Sequence, residues 1–166
     1  MKTTIVSPYD LFFDQLKDLH SMESQISGHL PDLLAKAVDE RLRQIIIDHS
    51  FETDRQLATI RSLFSRHGRD PGDDKCKAIS GLIEGGNTHL ASVENTSTRD
   101  LMMVAHWLRV ERYEIAAYEI TSRLAGQLGF TEDAGVLLEL LAQEQNAAAG
   151  ILGLEPNLFQ NASLQS

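Results

Sequence analysis

The chain has 166 residues, a length that suits one domain, and such a chain buries roughly 70% of the surface that it exposes when unfolded. Lys and Arg number 15 against 24 Asp and Glu, and the net charge of -9 argues against nucleic acid and anionic membranes as partners. The single cysteine, Cys76, excludes an internal disulfide and a cysteine-based zinc site. The longest apolar stretch, residues 101–108, is far shorter than the roughly 20 residues of a membrane span. No signal peptide is visible, so we expect a cytoplasmic protein.

Helically spaced apolar residues predict two long helices in the first part of the chain. Ser7 and Pro8 predict the start of the first helix, with serine as N-cap, and its apolar stripe continues to about residue 36. The second helix begins near Asp39 and ends at Gly68, because glycine is typical of the position after a helix C-terminus. The crossover segment that follows, residues 75–93, is weakly amphipathic and contains three glycines. We predict a short helix there that depends on packing against the rest of the domain.

A second pair of long helices follows the crossover. Ser97 or Thr98 is predicted to cap the third helix, which runs to about Gln127. Thr131 is predicted to cap the fourth helix, which ends at about residues 149–152 and carries two acids in its first turn, where they favour the helix dipole.

The order of the elements predicts the fold class. Two helical hairpins joined by one long crossover are typical of ferritin-like four-helix bundles. We therefore predict an all-α, ferritin-like four-helix bundle whose crossover carries an extra short helix. The whole chain, residues 1–166, forms one domain, in which the bundle spans about residues 8–152 and the tail, residues 153–166, is frayed.

Each of the four predicted long helices carries a glutamate where its apolar stripe requires a hydrophobic side chain. The first and fourth helices contribute one acid each. The second helix contributes a histidine and an acid that are three residues apart, and the third helix contributes two acids with the same spacing. These residues are Glu23, His49, Glu52, Glu111, Glu114 and Glu144. At a rise of 1.5 Å per residue, the acids of each hairpin lie at one depth, about 21–24 Å from the interhelical turn, with Glu111 one turn farther.

Desolvation limits what such a cluster can be. Five carboxylates in an apolar core cannot all stay ionised and unpaired, because each buried ion costs several kcal/mol. Either several remain protonated or cations lie between them. Two divalent ions bring a charge of about +4, and oxygen-rich ligation with one imidazole favours iron or manganese over zinc. The alternative stays open, since a single glutamate on an apolar face is more often a boundary residue that reaches water.

The same segments resemble the YciE/YciF-type bacterial stress proteins, a family of ferritin-like domains of unassigned function. The resemblance covers about residues 9–152. It rests on Asp10-Leu11-Phe12, Met22-Glu23-Ser24-Gln25, His49-Ser50-Phe51-Glu52-Thr53, Lys75-Cys76-Lys77-Ala78, Gly81-Leu82-Ile83-Glu84-Gly85 and Val110-Glu111-Arg112-Tyr113-Glu114-Ile115-Ala116-Ala117-Tyr118. It implies a ferritin-like bundle, a homodimer and a two-metal site formed by the six residues named above.

This chain departs from the ferritin-like pattern at its ligands. The signature Glu-x-x-His is absent, because Glu52 is followed three residues later by Arg55 and Glu144 by Ala147. Gln56 stands where the resemblance places a histidine, and Gln143 where it places a second acid. Fewer imidazoles weaken the case for a fully occupied, oxygen-activating site.

Two functions from different classes follow. The first is a stress-related di-metal carboxylate protein that holds two iron or manganese ions and oxidises bound Fe(II) with a small-molecule oxidant, oxygen or peroxide. The second is a metal-free helical structural or interaction protein of the stress response. The residues alone do not decide whether there is turnover. Elemental analysis of protein purified without chelator separates the two functions.

Other chemistry-bearing residues are interpreted as structural. Lysines on both sides of Cys76 favour a lowered thiol pKa, although a lone cysteine without a base is more often incidental. Tyr118 is interpreted as a core residue with a satisfied hydroxyl group. The remaining histidines show no metal-ligand spacing and are interpreted as surface or boundary residues: His20, His29, His67, His89 and His106.

The third helix has a second apolar side. Met102, Met103, Trp107 and Val110 lie on it. A helix that is apolar on two sides needs more than one partner, so we predict that the crossover helix covers part of this side and a second subunit the rest.

Overall fold

The computed structural model describes residues 4–164, and these form six helices: α1 (Pro8–Lys36), α2 (Glu40–Arg66), α3 (Lys77–Ala91), α4 (Thr96–Gln127), α5 (Thr131–Gly153) and α6 (Glu155–Ser163). The pairs α1–α2 and α4–α5 are hairpins with extensive interfaces, and contacts of α1 with α4 and of α2 with α5 join them into one four-helix bundle. The crossover helix α3 packs on α4 and α1. The predicted all-α bundle with an extra crossover helix is confirmed. None of the described helices is both long and apolar enough to cross a membrane.

The first helix begins as predicted, whereas the start of α4 differs. The Ser7 hydroxyl accepts a hydrogen bond from the backbone N–H of Asp10 at 3.1 Å, which confirms it as the N-cap of α1. The N-cap of α4 is Asn95, whose side-chain oxygen accepts from the N–H of Thr98 at 2.9 Å. The prediction of Ser97 or Thr98 is therefore wrong. Asparagine caps as well as serine does, and an earlier cap adds residues to the helix.

The start of α5 is also different from the prediction. Gly129, with a φ of 79°, ends the preceding helix in the left-handed conformation that glycine adopts easily. Phe130 occupies the N-cap position without a side-chain capping bond, and Thr131 is the first helical residue, so the predicted Thr131 cap is wrong. The Phe130 ring lies 5.4 Å from the ring of Phe12 between centroids. Aromatic packing therefore holds this helix start in place of a capping hydrogen bond.

The prediction of a frayed tail is wrong for most of its length. Residues 155–163 form α6, which packs against α4 and α5. Leu154 and Leu158 are buried, and together with Ile151 they continue one apolar stripe at helical spacing. Pro156 lies in the first turn of α6, where a missing N–H does no harm. The last two residues, 165 and 166, lie outside the described residues.

The acids of the bundle lie in the middle of its hydrophobic core. In α1, Phe12, Leu16 and Leu19 precede Glu23, and Ile26 follows one turn later; all are buried. The other helices repeat this order, with apolar layers on both sides of the polar positions. The core therefore isolates the acids from water along the bundle axis.

A buried aspartate links the two hairpins at one end of the bundle. Asp100, near the start of α4, accepts hydrogen bonds from the N–H of Asp39 at 2.7 Å and from the N–H of Val38 at 3.1 Å. These N–H groups belong to the turn between α1 and α2. The bonds hold α4 against that turn and help to set the register between the hairpins that supply the candidate site.

The second apolar side of α4 is covered within the chain. Met103, Trp107 and Val110 are buried, and both α3 and α6 pack against α4. Met102 is half-buried, so burial of this side of α4 within one chain does not by itself require a second subunit. The homodimer stays a prediction.

A close approach between α3 and α4 explains one glycine of the crossover. A Cβ atom on Gly86 would lie 1.9 Å from the His106 ring, whereas a Cβ on Gly85 would have nothing within 4 Å. We expect Gly86→Ala to lower the free energy of unfolding by about 1–3 kcal/mol through overpacking. The control Gly85→Ala should raise it by about 0.5–1 kcal/mol through helix propensity. Urea unfolding at one protein concentration measures both, and effects of the same sign would contradict the close approach.

Candidate metal centre

Four of the six predicted site residues converge between the hairpins. His49 comes from α2, Glu111 and Glu114 from α4, and Glu144 from α5. Each offers one ligand atom, and these four atoms lie within 4.8 Å of one another. All four residues are buried. A separation of this size is short enough for one cation to contact several of the atoms at once.

Helix geometry explains why the residues meet. Glu111 and Glu114 are three residues apart, which places both on one face of α4. The α4–α5 interface brings Glu144 opposite them. The Nε2 atom of His49 lies 3.4 Å from Oε1 of Glu111, so the α2 imidazole closes the cluster on the side of the first hairpin.

Trp107 and Gln56 each donate a hydrogen bond to one carboxylate oxygen of the cluster. Nε1 of Trp107 donates to Oε1 of Glu111 at 2.6 Å. The Gln56 amide donates to Oε1 of Glu144 and, at 3.2 Å, to Oε1 of Gln143. The second oxygens of Glu111 and Glu144 have no partner. These donors therefore fix the two acids and leave one oxygen of each available to a ligand.

Glu23 lies beside this group but is not one of its four members. It is fully buried on α1, and its Oε1 accepts a hydrogen bond of 2.5 Å from the Tyr118 hydroxyl. Its Oε2 has no partner. Repulsion from Glu144 and from Glu52 raises the pKa of Glu23, so Glu23 lies near both of these acids. The satisfied hydroxyl predicted for Tyr118 is confirmed, and its partner is a candidate ligand.

Glu52 is the sixth predicted residue, and it marks the edge of the cluster. Its side chain is 30% exposed, and its Oε2 lies 3.9 Å from Nδ1 of His49. The structure thus brings four predicted residues into one group and places Glu23 and Glu52 around it. Among the six, Glu52 alone reaches water to this extent.

The pKa values of the buried acids in and beside the cluster are raised. Burial raises the pKa of Glu23, Glu111 and Glu114 well above the ordinary range, and repulsion from Glu144 raises it further. Burial also raises the pKa of Glu144, against the opposing effects of His49, Glu111 and Gln56. The pKa of Tyr118 is raised by burial and by the nearby Glu23. Without a cation, the cluster therefore favours its protonated forms.

Many polar atoms of the cluster have no hydrogen-bond partner, which is rare for buried groups. Among the described residues, the unpartnered atoms of this region are Glu23 Oε2, His49 Nδ1 and Nε2, Thr53 Oγ1, Gln56 Oε1, Glu111 Oε2, Glu114 Oε1 and Oε2, and Glu144 Oε2. A cation at this position would supply the missing interactions of the carboxylate and imidazole atoms together. Carboxylate oxygens with one imidazole fit iron or manganese. The residues present therefore fit the predicted metals.

Trp107 and Thr53 were given no role in the site from the sequence, and Gln56 was named only as the residue at a position where the resemblance places a histidine. Trp107 precedes Glu111 by four residues, and Thr53 follows His49 by four, so both share a helix face with a predicted ligand. Gln56 lies one turn beyond Glu52 on the stripe of α2. The signal was present in each case, but an indole, a hydroxyl and an amide are also ordinary core-facing groups.

Cys76 is buried, and its burial raises the thiol pKa, so the lowered pKa that its flanking lysines favour is not found and the interpretation as an incidental thiol stands. The expectation for two of the histidines is wrong. His29 and His106 are also buried, although surface or boundary positions are predicted for them. Both occupy apolar stripes, His29 between Ile26 and Leu33, and His106 between Met103 and Val110.

Comparison with known proteins places the chain in a family. The model of the family described as domain of unknown function DUF892 matches residues 7–163. Protein YciF of Escherichia coli K12 is 35% identical over 137 residues, which are 82% of each protein. The crystal structure of the E. coli stress protein YciF matches with a TM-score of 0.89 and 31% identity, covering 94% of this chain and 99% of that one.

A second solved structure gives the same result. YcfI of Rhodopseudomonas palustris, described as "a putative structural protein", matches with a TM-score of 0.87 and 28% identity, covering 91% of this chain and 96% of that one. The family resemblance and the ferritin-like fold predicted from the sequence are confirmed. The chain belongs to the DUF892 family and shares the ferritin-like helical bundle of YciF.

Proposed function

We propose that this protein is a cytoplasmic, stress-related carboxylate protein that binds two divalent ions, iron or manganese, per chain. The observation that carries the proposal is the convergence of unpartnered, buried ligand atoms from His49, Glu111, Glu114 and Glu144. Buried polar atoms without partners cost about 1–3 kcal/mol each, and more when charged. A cluster of this kind is explained by a ligand that it holds.

Charge supports two ions over one. The five acids carry about -5 when ionised, and two divalent ions bring about +4, which nearly balances the buried charge. The group of four holds the first ion. Glu23 and Glu52 both interact electrostatically with Glu144, and they contribute ligands to the second ion.

The chain's own residues would set the chemistry of the site. Trp107 and Gln56 each hold one carboxylate oxygen, so the acids do not have to reorganise fully when an ion enters. The apolar layers on both sides exclude bulk water. Iron bound here would supply electrons to oxygen or peroxide, and that oxidation of Fe(II) is the reaction that we propose. Because Gln56 replaces an imidazole, the donor set is rich in hard oxygen ligands.

Trp107 provides a direct test of metal binding. It is the one tryptophan of the chain, it donates to Glu111, and its ring lies 5.1 Å from that of His49 between centroids. Anaerobic titration with Fe(II) or Mn(II) should change its fluorescence up to two equivalents per chain, and elemental analysis should find the same stoichiometry. The control Glu119→Gln, an exposed residue of α4, should behave like the parent. No fluorescence change together with no retained metal would overturn the proposal.

A metal-free structural role is the second candidate. YcfI is described as "a putative structural protein". Glu111 and Glu144 are close enough to share a hydrogen bond when one is protonated. A shared proton would hold the cluster together without ions. The same titration decides between the two candidates.

We also propose that the protein acts as a homodimer, as the resemblance to the family implies. Large apolar side chains remain exposed on the described part of the chain, including Phe51 on α2 and Phe159 on α6. Sedimentation equilibrium across a range of protein concentrations would give the mass of the chain or twice that mass.

A further inference from the structure

Two buried histidines face each other away from the carboxylate cluster. His29 on α1 is 8% exposed and His106 on α4 is 2% exposed. Their ring centroids are 5.8 Å apart and the ring planes are 71° apart. The Nε2 atom of each ring is buried and has no hydrogen-bond partner. A buried imidazole usually has a partner for its polar nitrogens, so this pair requires an explanation.

A third unpartnered atom belongs to the same region. A groove of about 690 Å³ is lined by residues of α1 and α3, among them His29 and Asn87. The Oδ1 atom of Asn87 is buried without a partner. The neighbouring Gly86 has no side chain, and the His106 ring fills the space where one would be. His29 and Asn87 thus line one groove, and the His106 ring packs against the glycine next to Asn87.

We propose that His29, His106 and Asn87 form a second metal site that holds one ion of the copper and zinc class. Imidazole nitrogens suit these ions. The unpartnered Oδ1 atom of Asn87 is the candidate third ligand. When two imidazoles bind one ion at metal–nitrogen distances near 2.0 Å, a tetrahedral nitrogen–metal–nitrogen angle places their ring centroids about 5.2 Å apart. A linear arrangement places the centroids about 6.3 Å apart. The observed 5.8 Å lies between these limits.

The protonation state of the pair suits a ligand. Burial lowers the pKa of His29, and it lowers the pKa of His106 to about 4 with help from the charges of His29, Arg109 and His89. Both rings are therefore neutral near pH 7 and have a free lone pair. Carboxylates of Asp32 and Glu84 also line the groove, and they favour the approach of a cation.

The site is separate from the carboxylate centre. His106 and Glu111 are five residues apart on α4, which turns them about 140° from each other around the helix axis. The inference therefore does not rest on the proposed function, and either can fail alone. Cu(I) is a suitable probe because it prefers imidazole nitrogen to carboxylate oxygen.

The test is an anaerobic Cu(I) titration, and a parallel Zn(II) titration, against a coloured competing chelator. Both use the full chain carrying Glu111→Gln and Cys76→Ser, which keep the carboxylate centre and the free thiol from competing. We expect one ion per chain. Removal of a residue that only hydrogen-bonds to a metal ligand weakens metal affinity by about 10–100-fold. His29→Ala removes a ligand itself, so it should weaken the affinity by more than about 100-fold. The matched control His89→Ala, an exposed histidine of α3, should not change it.

X-ray absorption of the loaded parent chain keeps the inference testable if a histidine variant fails to fold. Two imidazoles around the ion would support the site. Circular dichroism checks that His29→Ala is folded. Absence of binding in the parent, as expected if water alone fills the site, would overturn the inference. So would an unchanged affinity in folded His29→Ala.

Discussion

Replacing Glu111 by glutamine should abolish metal retention and leave the bundle folded. Glutamine keeps the volume of the side chain and an oxygen to accept the Trp107 hydrogen bond, but it removes a charged ligand at the centre of the cluster. We expect the affinity for Fe(II) or Mn(II) to fall by more than about 100-fold. Anaerobic fluorescence titration and elemental analysis measure the loss.

The same substitution should stabilise the metal-free protein. Keeping a carboxyl group protonated at pH 7, against an unfolded pKa near 4.3, costs up to about 4 kcal/mol, and an amide has no such cost. Urea unfolding of metal-free Glu111→Gln should therefore show a higher free energy of unfolding than the parent. The control Glu119→Gln changes an exposed ion pair with Arg123 and should change neither quantity by more than about 0.5–1 kcal/mol. Parent-like metal affinity in Glu111→Gln would show that Glu111 is not a ligand.

Metal-free protein should lose stability as pH rises from 5 to 8. The folded-state pKa values of Glu23, Glu111, Glu114 and Glu144 are raised, so the folded form binds more protons than the unfolded chain above about pH 4.3. The stabilisation from the protonated acids is fully present below that pH. It is lost as pH rises through the folded-state values. Thermal unfolding at fixed protein concentration, with chelator present, measures the slope.

Saturating metal should reverse the direction of this pH dependence. The ions bind the ionised carboxylates, so protons compete with them and acid weakens the complex. The melting temperature with Fe(II), kept anaerobic, or with Mn(II) should therefore rise from pH 5 to 8. Protein concentration must be constant, because a dimer adds its own concentration dependence. Identical profiles with and without metal would mean that the acids neither cluster nor bind ions.

The fold could be predicted where apolar periodicity and end signals agree. The bounds of α1, with a serine cap and a proline in the first turn, follow directly from the sequence. The crossover helix was also predictable, although its glycines oppose helix formation. What could not be predicted was α6, since only Leu154 and Leu158 anchor it and both depend on a surface built by α4. A short helix of this kind forms because of tertiary packing.

The site was predictable to the level of helix faces but not of distances. Periodicity selected Glu111, Glu114 and Glu144 because acids interrupt apolar stripes, and the structure brings them together with His49. The same rule could not tell that Glu52 is partly exposed, because rotation of a helix by a fraction of a turn decides it. The burial of His29 and His106 was not predicted, because an imidazole on an apolar stripe suits the boundary of a core as well as its interior.

Burial of the four converging residues also has a kinetic consequence. An ion in the proposed centre would reach these buried ligands only when helices move apart, so we expect the rate of loading to be limited by local opening of the bundle and not by diffusion. Glu52, with its side chain 30% exposed, is the one of the six predicted residues that reaches water to this extent, so we expect an ion to enter beside it. Entry and exit then slow together, and an ion once bound stays for as long as the helices stay closed. Hydrogen exchange of amides near Glu52 would report the same opening rate as metal uptake.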